Sequence, residues 1–225
     1  MQIKFISVLS GNDKKYSLIK DNFQKHLENV GLANEHELIE TNTDSGNWQE
    51  EGFLETVYKK LDFTHDYLKQ GYQVFCSDLD IVFLKNPIPY LKKMSREYNI
   101  IFQNDYAEYD NGNEVSLFCT GFYFVNPSPL TVKLFDREVN IFKQLNKINL
   151  KGTYDESDQN YINIKLKQKR FNKLQIKMLD KDIFPNGWWW FKNHSNLNPD
   201  IIHYNCISGI ENKIREMKKY NHWLI

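Results

Sequence analysis

Apolar positions along the chain follow two patterns that alternate from the first residues onward. Short apolar runs predict strands, and apolar residues three or four positions apart predict helices. In the first helical segment Ile19, Phe23 and Leu27 share one face, and Gly31 ends the pattern. The two patterns predict strands at residues 2–9, 37–40, 72–84, 99–102, 121–125 and 201–203, helices at residues 14–30, 53–69, 130–145, 155–166 and 210–220, and polar turns at residues 10–13 and 42–46. This alternation favours an α/β sheet.

The longest apolar run, at residues 72–84, contains two carboxylates. It is apolar on both faces, which is typical of a central strand covered by helices on both sides. Asp78 and Asp80 would be very costly as bare charges inside such a strand. We therefore predict that the strand ends near Ser77 and that both acids lie at its carboxyl-terminal tip, the edge of an α/β sheet where ligands bind.

The spacing of Asp78 and Asp80 also suits a metal site. Two residues apart in an extended chain, they lie on the same side and about 6–7 Å apart. Mg²⁺ or Mn²⁺ accepts such oxygen ligands and brings substrate phosphates as further ligands. Asp78 and Asp80 could instead be turn residues or partners in structural ion pairs, but the apolar residues before and after them in the sequence favour a metal site.

Length and composition narrow the class of protein. The 225 residues fit one large α/β domain, residues 1–225, and 41% of them are hydrophobic, which is a globular composition. The chain has 29 basic and 29 acidic residues, so it lacks the basic excess typical of nucleic-acid binders. We therefore expect no nucleic acid among its partners.

The cysteines and the first residues of the sequence indicate the cellular compartment in which the protein is expected. Cys76, Cys119 and Cys206 are widely spaced and odd in number, so we predict neither a zinc site nor a disulfide framework. The first two lie in apolar runs and are expected in the core. No apolar stretch is long enough for a transmembrane segment, and the apolar start is too short for a signal peptide. These features lead us to expect a cytoplasmic protein.

Five segments in one order resemble the nucleotide-diphospho-sugar transferases. Residues 74–87, VFCSDLDIVFLKNP, resemble the family's DxD segment, in which a strand, two acids, an apolar triplet and an Asn-Pro turn follow one another. The other four are TGFYFV at residues 120–125, DQxxxN at 158–163, HYN at 203–205 and GxxxK at 209–213, with Trp223 as a terminal tryptophan. The resemblance is closest to glycosyltransferase family 77, more distant to glycogenin-like family 8 enzymes, and extends over residues 3–223.

This resemblance implies a fold and an activity. The fold is the GT-A fold, a Rossmann-like α/β domain with a central mixed, mainly parallel sheet flanked by helices. The implied enzyme is a metal-dependent glycosyltransferase that moves a sugar from a nucleotide-diphosphate donor, UDP in most such enzymes, to a hydroxyl of a glycan, glycoprotein or other acceptor. Family 77 resemblance further implies retention of the anomeric configuration.

The resemblance also implies roles by position. Asp78, Asp80 and His203 would hold Mn²⁺ or Mg²⁺. Asp158, Lys60 and Lys213 would act in catalysis: Asp158 would orient the acceptor or take its proton, with no strong base needed if configuration is retained, and Lys213 would face the diphosphate. The implied contacts to the donor are Leu9, Ser10, Tyr16, Lys60, Ser77, Asp78, Leu79, Gly121, Asn205, Gly209 and Lys213.

Several residues keep alternative interpretations. Tyr16 could stack on the uracil or pack in the core, Lys59 could replace Lys60 if the helix phase differs, and His203 could be structural. The three tryptophans at residues 188–190 could form an acceptor platform or simply pack; in an extended chain at least one would be exposed.

Two functions other than sugar transfer could also use Asp78 and Asp80. One is a nucleotide-sugar pyrophosphatase or nucleotidyltransferase, which is disfavoured because the N-terminus lacks a Gly-rich loop bearing Arg and Lys. The other is a non-catalytic module that binds sugar nucleotides.

Overall fold

The computed structural model of the chain describes residues 1–10, 14–41, 51–108, 112–138 and 157–225. Its strands are β1 (Ile3–Ser10), β2 (His36–Thr41), β3 (Gln73–Ser77), β4 (Ile81–Phe83), β5 (Ile100–Glu108), β6 (Glu114–Val125), β7 (Ile176–Met178) and β8 (Ile201–His203). Its α-helices are α1 (Lys14–Asn29), α2 (Glu51–Lys69), α3 (Ile88–Met94), α4 (Pro129–Phe135), α5 (Asp158–Leu166), α6 (Gly187–Asn193) and α7 (Ile210–Lys219). Short 3₁₀ turns occupy Lys169–Phe171 and His194–Asn196.

Six strands form one mixed sheet in the order β2-β1-β3-β6-β5-β7. The pairs β1–β2, β1–β3 and β5–β7 are parallel, whereas β6 is antiparallel to both of its neighbours. Five strands therefore run in one direction and β6 runs against them. The predicted mixed, mainly parallel sheet is confirmed.

The side chains of β3 alternate between two apolar cores. Val74 and Cys76 face the core shared with α2, α4 and α5, whereas Phe75 faces the core shared with α1 and α3. All three side chains are fully buried. This confirms a central strand covered on both faces.

The predicted core cysteines are also confirmed. Cys76 and Cys119 are buried, and the three thiols of Cys76, Cys119 and Cys206 are free. Among the described helices, none combines the length and the apolar character that crossing a membrane requires.

Two predicted helices differ from the structure by three residues or more at one end. The helix predicted at residues 130–145 ends at Phe135, because Asp136 adopts an extended conformation with φ −66° and ψ 116°. The helix predicted at residues 155–166 begins at Asp158, with Ser157 as its N-cap. The predictions for residues 11–13, 42–46, 139–145 and 155–156 lie outside the described residues.

The three consecutive tryptophans lie in helix α6, a conformation that the apolar pattern did not predict. The side chain of Asn186 caps this helix by accepting a hydrogen bond from the backbone N–H of Trp189. Trp188 is 53% exposed, whereas Trp190 is only 7% exposed. The expectation that at least one indole is exposed is therefore confirmed, although in a helix rather than a strand.

Two strand pairings were not predicted. β5 and β6 are longer than their apolar runs and pair as a hairpin out to Glu108 and Glu114, with a register shift between Phe102 and Gln103. The apolar triplet β4 leaves the main sheet and pairs antiparallel with β8 in a second, two-stranded sheet. Both pairings shape the site described below.

Burial of His36 should make the free energy of unfolding depend on pH. Its ring centroid lies 4.7 Å from that of Phe5 and 5.2 Å from that of Phe23. Burial lowers the pKa of His36 to about 4, although Glu37 acts to raise it. Unfolded histidine titrates near about 6.5, so between these pH values only the unfolded chain binds the proton. The free energy of unfolding should fall by up to about 3 kcal/mol across that interval as pH is lowered.

Urea denaturation at a series of pH values measures this dependence. His36→Gln should flatten the slope between about pH 6.5 and 4, whereas His65→Gln, on α2, is the control and should leave it steep. His222 contributes a slope of the same sign, because burial lowers its pKa to about 4 as well. An unchanged slope in His36→Gln would show that this imidazole protonates equally in both states.

Candidate active site

The two acids lie where the central strand leaves the sheet. Ser77 is the last residue of β3 and is paired with Phe122. Just beyond it, the backbone N–H of Asp78 donates a 2.7 Å hydrogen bond to the carbonyl of Gly121. The chain then turns through Asp80 and continues as β4. The predicted end of the strand at Ser77 is confirmed, and both carboxylates stand at its carboxyl tip.

His203 reaches the acids through the small two-stranded sheet. The β4–β8 pairing sets Ile81 opposite His203, and the backbone N–H of Tyr204 donates to the carbonyl of Asp80 at 3.0 Å. The imidazole is only 2% exposed. Two segments far apart in the sequence are thereby held in fixed register beside the acids.

Gln103 determines which ring nitrogen of His203 faces the acids. Gln103 is fully buried, and its Nε2 donates to the carbonyls of Phe184 and Pro185, at 3.1 Å each. Its Oε1 therefore faces Nδ1 of His203, 2.7 Å away. Since an amide oxygen can only accept, Nδ1 carries a hydrogen and Nε2 faces the acids. Metal-binding histidines are commonly oriented by such a contact on the other ring nitrogen.

The possible ligand atoms of Asp78, Asp80 and His203 converge within 4.8 Å of one another. Nε2 of His203 lies 3.3 Å from Oδ1 of Asp80. With Nδ1 protonated, these two atoms are both acceptors unless a proton or a metal cation lies between them. Two carboxylates and one imidazole are a donor set that suits a divalent transition metal.

Lys60 joins Asp78 to a third carboxylate in the interior. The side chain is 4% exposed, and its Nζ lies 2.8 Å from Oδ1 of Asp78 and 3.0 Å from Oδ2 of Asp158. The first contact is a hydrogen bond, and the second is an ion pair by distance without hydrogen-bond geometry. Lys60, rather than Lys59, is thus the lysine that reaches the acids.

Burial and charge act in opposite directions on these groups. Burial alone would lower the pKa of Lys60, but the carboxylates of Asp158 and Asp78 outweigh it and raise that pKa well above its usual range. Burial raises the pKa of Asp158, and Lys60 only partly offsets this. The ammonium of Lys60 is therefore firmly charged.

Lys213 approaches the acids from the first turn of α7. Gly209 precedes this helix with a φ of 81°, which glycine adopts without strain, and the backbone N–H of Lys213 donates to its carbonyl. The ammonium of Lys213 contacts Oδ2 of Asp80. Burial would raise the pKa of Asp80, but Lys213 and His203 outweigh it and hold that pKa well below its usual range.

Gly121 leaves the space in which the site forms. A Cβ at this position would lie 2.4 Å from Cε1 of His203 and 2.8 Å from Oδ2 of Asp78. The backbone cannot easily retreat, because Gly121 lies within strand β6 and its carbonyl accepts the hydrogen bond from Asp78. Glycine is needed here for the close approach of His203 and Asp78.

Gly121→Ala should therefore disturb the site more than the fold. We expect Mn²⁺ affinity, measured by titration calorimetry, to fall at least about 10-fold, because oriented metal ligands depend on their immediate surroundings. Gly71→Ala is the control: its Cβ would meet open space, but its φ of 84° strains any other residue. That variant should lose stability and keep its Mn²⁺ affinity. Wild-type affinity in Gly121→Ala would show that the site tolerates the added methyl group.

The other residues predicted to contact a donor lie at the same edge of the sheet. Leu9 is buried near the end of β1 and Ser10 is its last residue, three residues beyond Ser7, whose hydroxyl donates to the carbonyl of Ser77 at the end of β3. Tyr16 is half-buried in the first turn of α1, and Leu79 is half-buried between the two acids. Asn205 follows His203 by two residues and accepts a hydrogen bond from the backbone N–H of residue 187.

A second polar cluster, centred on Asp105 of β5, was not predicted. Its Oδ1 accepts hydrogen bonds from the amides of Asn186 and Asn205, at 3.0 and 2.8 Å, and its Oδ2 accepts one from Gln159 at 2.8 Å. Gln159 directly follows Asp158 in the sequence, so the two clusters adjoin. Together they place carboxylates, amides and two ammonium groups at one edge of the sheet, a combination that can bind phosphates and sugar hydroxyls.

A sequence signal for the Asp105 cluster was present but incomplete. Residues 103–105 are Gln, Asn and Asp directly after the apolar run at residues 99–102. Such a polar run is typical of a loop, and only the pairing of β5 with β6 shows that these residues continue a strand. The same pairing brings Gln103 to His203.

Comparison with known proteins identifies the family to which the chain belongs. The model of the nucleotide-diphospho-sugar transferases matches residues 21–217. The UDP-galactose:fucoside alpha-3-galactosyltransferase of Dictyostelium discoideum is 28% identical over an alignment of 192 residues that covers 77% of this chain and 28% of that protein. A UDP-D-xylose:L-fucose alpha-1,3-D-xylosyltransferase of Arabidopsis thaliana is 23% identical over an alignment of 188 residues that covers 78% of this chain and 51% of that protein. The chain thus spans about half or less of the length of these relatives.

Solved structures share the fold at low sequence identity. The galactosyltransferase LgtC, in complex with donor and acceptor sugar analogs, matches with a TM-score of 0.54 at 12% identity, over 96% of this chain and 95% of that one. Mouse xyloside xylosyltransferase 1 matches with a TM-score of 0.54 at 11% identity, over 93% and 99%. These neighbours show the GT-A fold. With the family model spanning most of its length, the chain belongs to the nucleotide-diphospho-sugar transferases.

Proposed function

We propose that this chain transfers a sugar from a UDP-sugar to a hydroxyl of a glycan acceptor, with a divalent cation held by Asp78, Asp80 and His203. The observation that carries the proposal is the convergence of these three ligand atoms within 4.8 Å, with Nε2 of His203 turned toward the acids by Gln103. Family membership supports the nucleotide-sugar donor.

The side chains present fit Mn²⁺ better than Mg²⁺. An imidazole ligand suits a transition metal, whereas Mg²⁺ prefers a shell of oxygens. His203 is nearly fully buried and its tautomer is set by a second residue, as in other oriented metal ligands. When bound, such a cation would stabilise the negative charge that develops on the departing diphosphate.

Two lysines would contribute to the transfer reaction, Lys213 beside Asp80 and Lys60 beside Asp78. Lys213, at the start of α7 and in contact with Asp80, would share the charge of the diphosphate. Lys60 holds Asp78 and Asp158 apart and keeps both carboxylates in place. Asp158 would position the acceptor hydroxyl or stabilise positive charge on the sugar, because a retaining reaction needs no strong base. Gly209 lets the helix of Lys213 begin beside the donor.

The nucleoside would lie at the ends of β1 and β3. Leu9 and Ser10 end β1, Tyr16 opens α1, and Ser77 ends the adjacent parallel strand. We propose that Tyr16 stacks on the uracil, while Leu79, Gly121 and Asn205 line the path from ribose to sugar.

The names of the relatives point to an acceptor class. The two enzymes named above use different donors, UDP-galactose and UDP-D-xylose, but both act on a fucoside or L-fucose and form an alpha linkage to position 3. What these relatives share is therefore the acceptor rather than the donor. We propose an L-fucose residue as acceptor, UDP-galactose or UDP-xylose as donor, and retention of configuration.

Product analysis with labelled nucleotide sugars tests the proposal. The protein is incubated with Mn²⁺, an aryl α-L-fucoside and one labelled donor at a time, with an aryl β-D-glucoside as the acceptor control. A labelled disaccharide formed only on the fucoside supports the proposal. Sugar 1-phosphate would instead identify a pyrophosphatase, and donor binding without any product would identify a binding module. Transfer that persists in excess chelator would refute the metal requirement.

A further inference from the structure

Asn163 connects α5 to β6, the strand whose Gly121 forms one side of the candidate site. Its Nδ2 donates to the carbonyl of Phe118 at 2.8 Å, and its Oδ1 accepts from the backbone N–H of Phe118 at 3.1 Å. One side-chain amide thus satisfies both backbone groups of one strand residue. Nδ2 donates a second hydrogen bond to the carbonyl of Gln159, at 2.8 Å, within α5.

This contact lies where β6 lacks a neighbouring strand on one side. β3 pairs with β6 only along residues 122–125 and ends at Ser77. Beyond that point β6 pairs with β5 alone, and the amide of Asn163 takes the place of a neighbouring backbone at Phe118. An unpaired, partly buried backbone group costs free energy, so a two-sided amide contact holds this edge in one position.

The two segments that Asn163 joins carry the site. On one side, β6 continues from Phe118 to the carbonyl of Thr120, 3.5 Å from Nζ of Lys60, and to Gly121. On the other side, Gln159 and the residue before it open α5, where the carboxyl of residue 158 meets Lys60 and the amide of Gln159 meets the cluster on β5. The separation of these groups depends on how α5 sits against β6.

We propose that Asn163 is a positioning residue for the transfer reaction. By clamping Phe118 and Gln159 together, it keeps the carboxyl of Asp158 and the amide of Gln159 in register with the wall formed by Gly121. The inference rests on the proposed function. Asn163 does not touch the acids, so it acts on turnover through the placement of other groups.

The variant Asn163→Asp changes one atom at this contact. The oxygen that replaces Nδ2 faces the carbonyls of Phe118 and Gln159, so two hydrogen bonds become repulsive contacts while the acceptor for Phe118 N–H remains. We expect kcat to fall about 10- to 100-fold, since small misplacements of reacting groups have effects of that size. The KM for the UDP-sugar should change less than about 3-fold, because the proposed metal ligands do not lie on α5.

Asn126→Asp is the matched control at the other end of β6. The Nδ2 of Asn126 likewise donates to two carbonyls, of Ser95 and Tyr98, at 2.6 and 2.8 Å, and its Oδ1 accepts from Gln73. This variant should lower the melting temperature in the same way while kcat stays at the wild-type value well below that temperature. Equal kcat losses in both variants, or none in Asn163→Asp, would overturn the proposal.

Amide hydrogen exchange gives a readout that needs no substrate. The Phe118 N–H should be protected in the wild type and in Asn126→Asp, and should lose protection in Asn163→Ala, which removes the acceptor. If Asn163→Ala left the exchange rate of the Phe118 N–H unchanged, Asn163 would not hold Phe118 and the proposal would be overturned. If the wild type transferred no sugar, the proposed function would fail, but hydrogen exchange would still show whether Asn163 holds Phe118.

Discussion

Replacing Asp80 by Asn should reduce sugar transfer at least about 100-fold and weaken Mn²⁺ binding by a similar factor, because removing a metal ligand has at least the effect of removing its supporting contacts. Asp80 faces both His203 and Lys213, so its carboxylate is the acid with the most contacts at the proposed metal site. The amide of Asn is the same size but carries no charge to attract the cation. Lys213 is partly exposed and can turn to water, so the protein should stay folded.

Manganese titration followed by spin resonance measures the binding directly, with and without UDP. Asp66→Asn, an exposed carboxylate change on α2, is the control and should bind and turn over like the wild type. Thermal unfolding of both variants should remain cooperative. Wild-type turnover in Asp80→Asn, or unchanged Mn²⁺ binding, would show that the cluster of acids is a structural ion-pair network instead.

Five of the six strands of the main sheet, and most of the helices beside them, were predictable because their signals are local, whereas β7 was not predicted. Helix α1 shows an apolar stripe that ends at Gly31, and Ile19, Phe23 and Leu27 are indeed buried. The position of the acids was predictable as well, because two charges cannot remain inside a strand buried on both faces. These arguments use only neighbouring residues, and the structure confirms the end of β3 at Ser77.

The partners of the site residues were not predictable, because each depends on a long-range pairing. Gln103 looks like the first residue of a polar loop, and only the hairpin of β5 and β6 turns it toward His203. The contact between Lys213 and Asp80 requires α7 to begin beside β4, which no local pattern encodes. Resemblance suggested the residue types, and pairing determined which atoms meet.

Local patterns also left the conformation of the three tryptophans at residues 188–190 open, although aromatic residues have high strand propensity. Asn186 instead bonds the N–H of Trp189 and starts helix α6, and its amide also joins Asp105. The conformation of the tryptophans thus follows from the polar cluster next to the site, which the sequence did not reveal.

Removal of the Lys60 ammonium should have the largest effect on stability. Lys60 is 4% exposed and lies within 3.0 Å of two carboxylates, of which Asp158 is also 4% exposed. Lys60→Met keeps the apolar stem but leaves the buried Asp158 and the partly exposed Asp78 close together without a cation. Breaking a buried ion pair in this way costs about 3–5 kcal/mol. We expect a loss of that size in urea denaturation.

A double variant separates the loss of stability from the loss of function. Adding Asp158→Asn to Lys60→Met removes the charge left without its partner, so much of the lost stability should return. Turnover should not return, because the placement of Asp78 and of the residue at 158 depends on the ammonium. If the double variant were as unstable as Lys60→Met alone, the charge on Asp158 would not be the cause of the destabilisation.

Lys165→Met is the matched comparison, because Lys165 is the other fully buried lysine among the described residues. Its ammonium contacts the carbonyl of Asp136 and the hydroxyl of Tyr161, with Glu138 3.5 Å away, on the part of α5 remote from Asp158. This variant should also lose stability, since its neighbours lose a hydrogen-bond donor. Its turnover should stay near the wild-type value at temperatures where it is folded. Comparing the two variants distinguishes a buried ammonium that supports only the fold from one that also holds the carboxylates of the site. A comparable loss of turnover in Lys60→Met and Lys165→Met would show that Lys60 supports the fold alone.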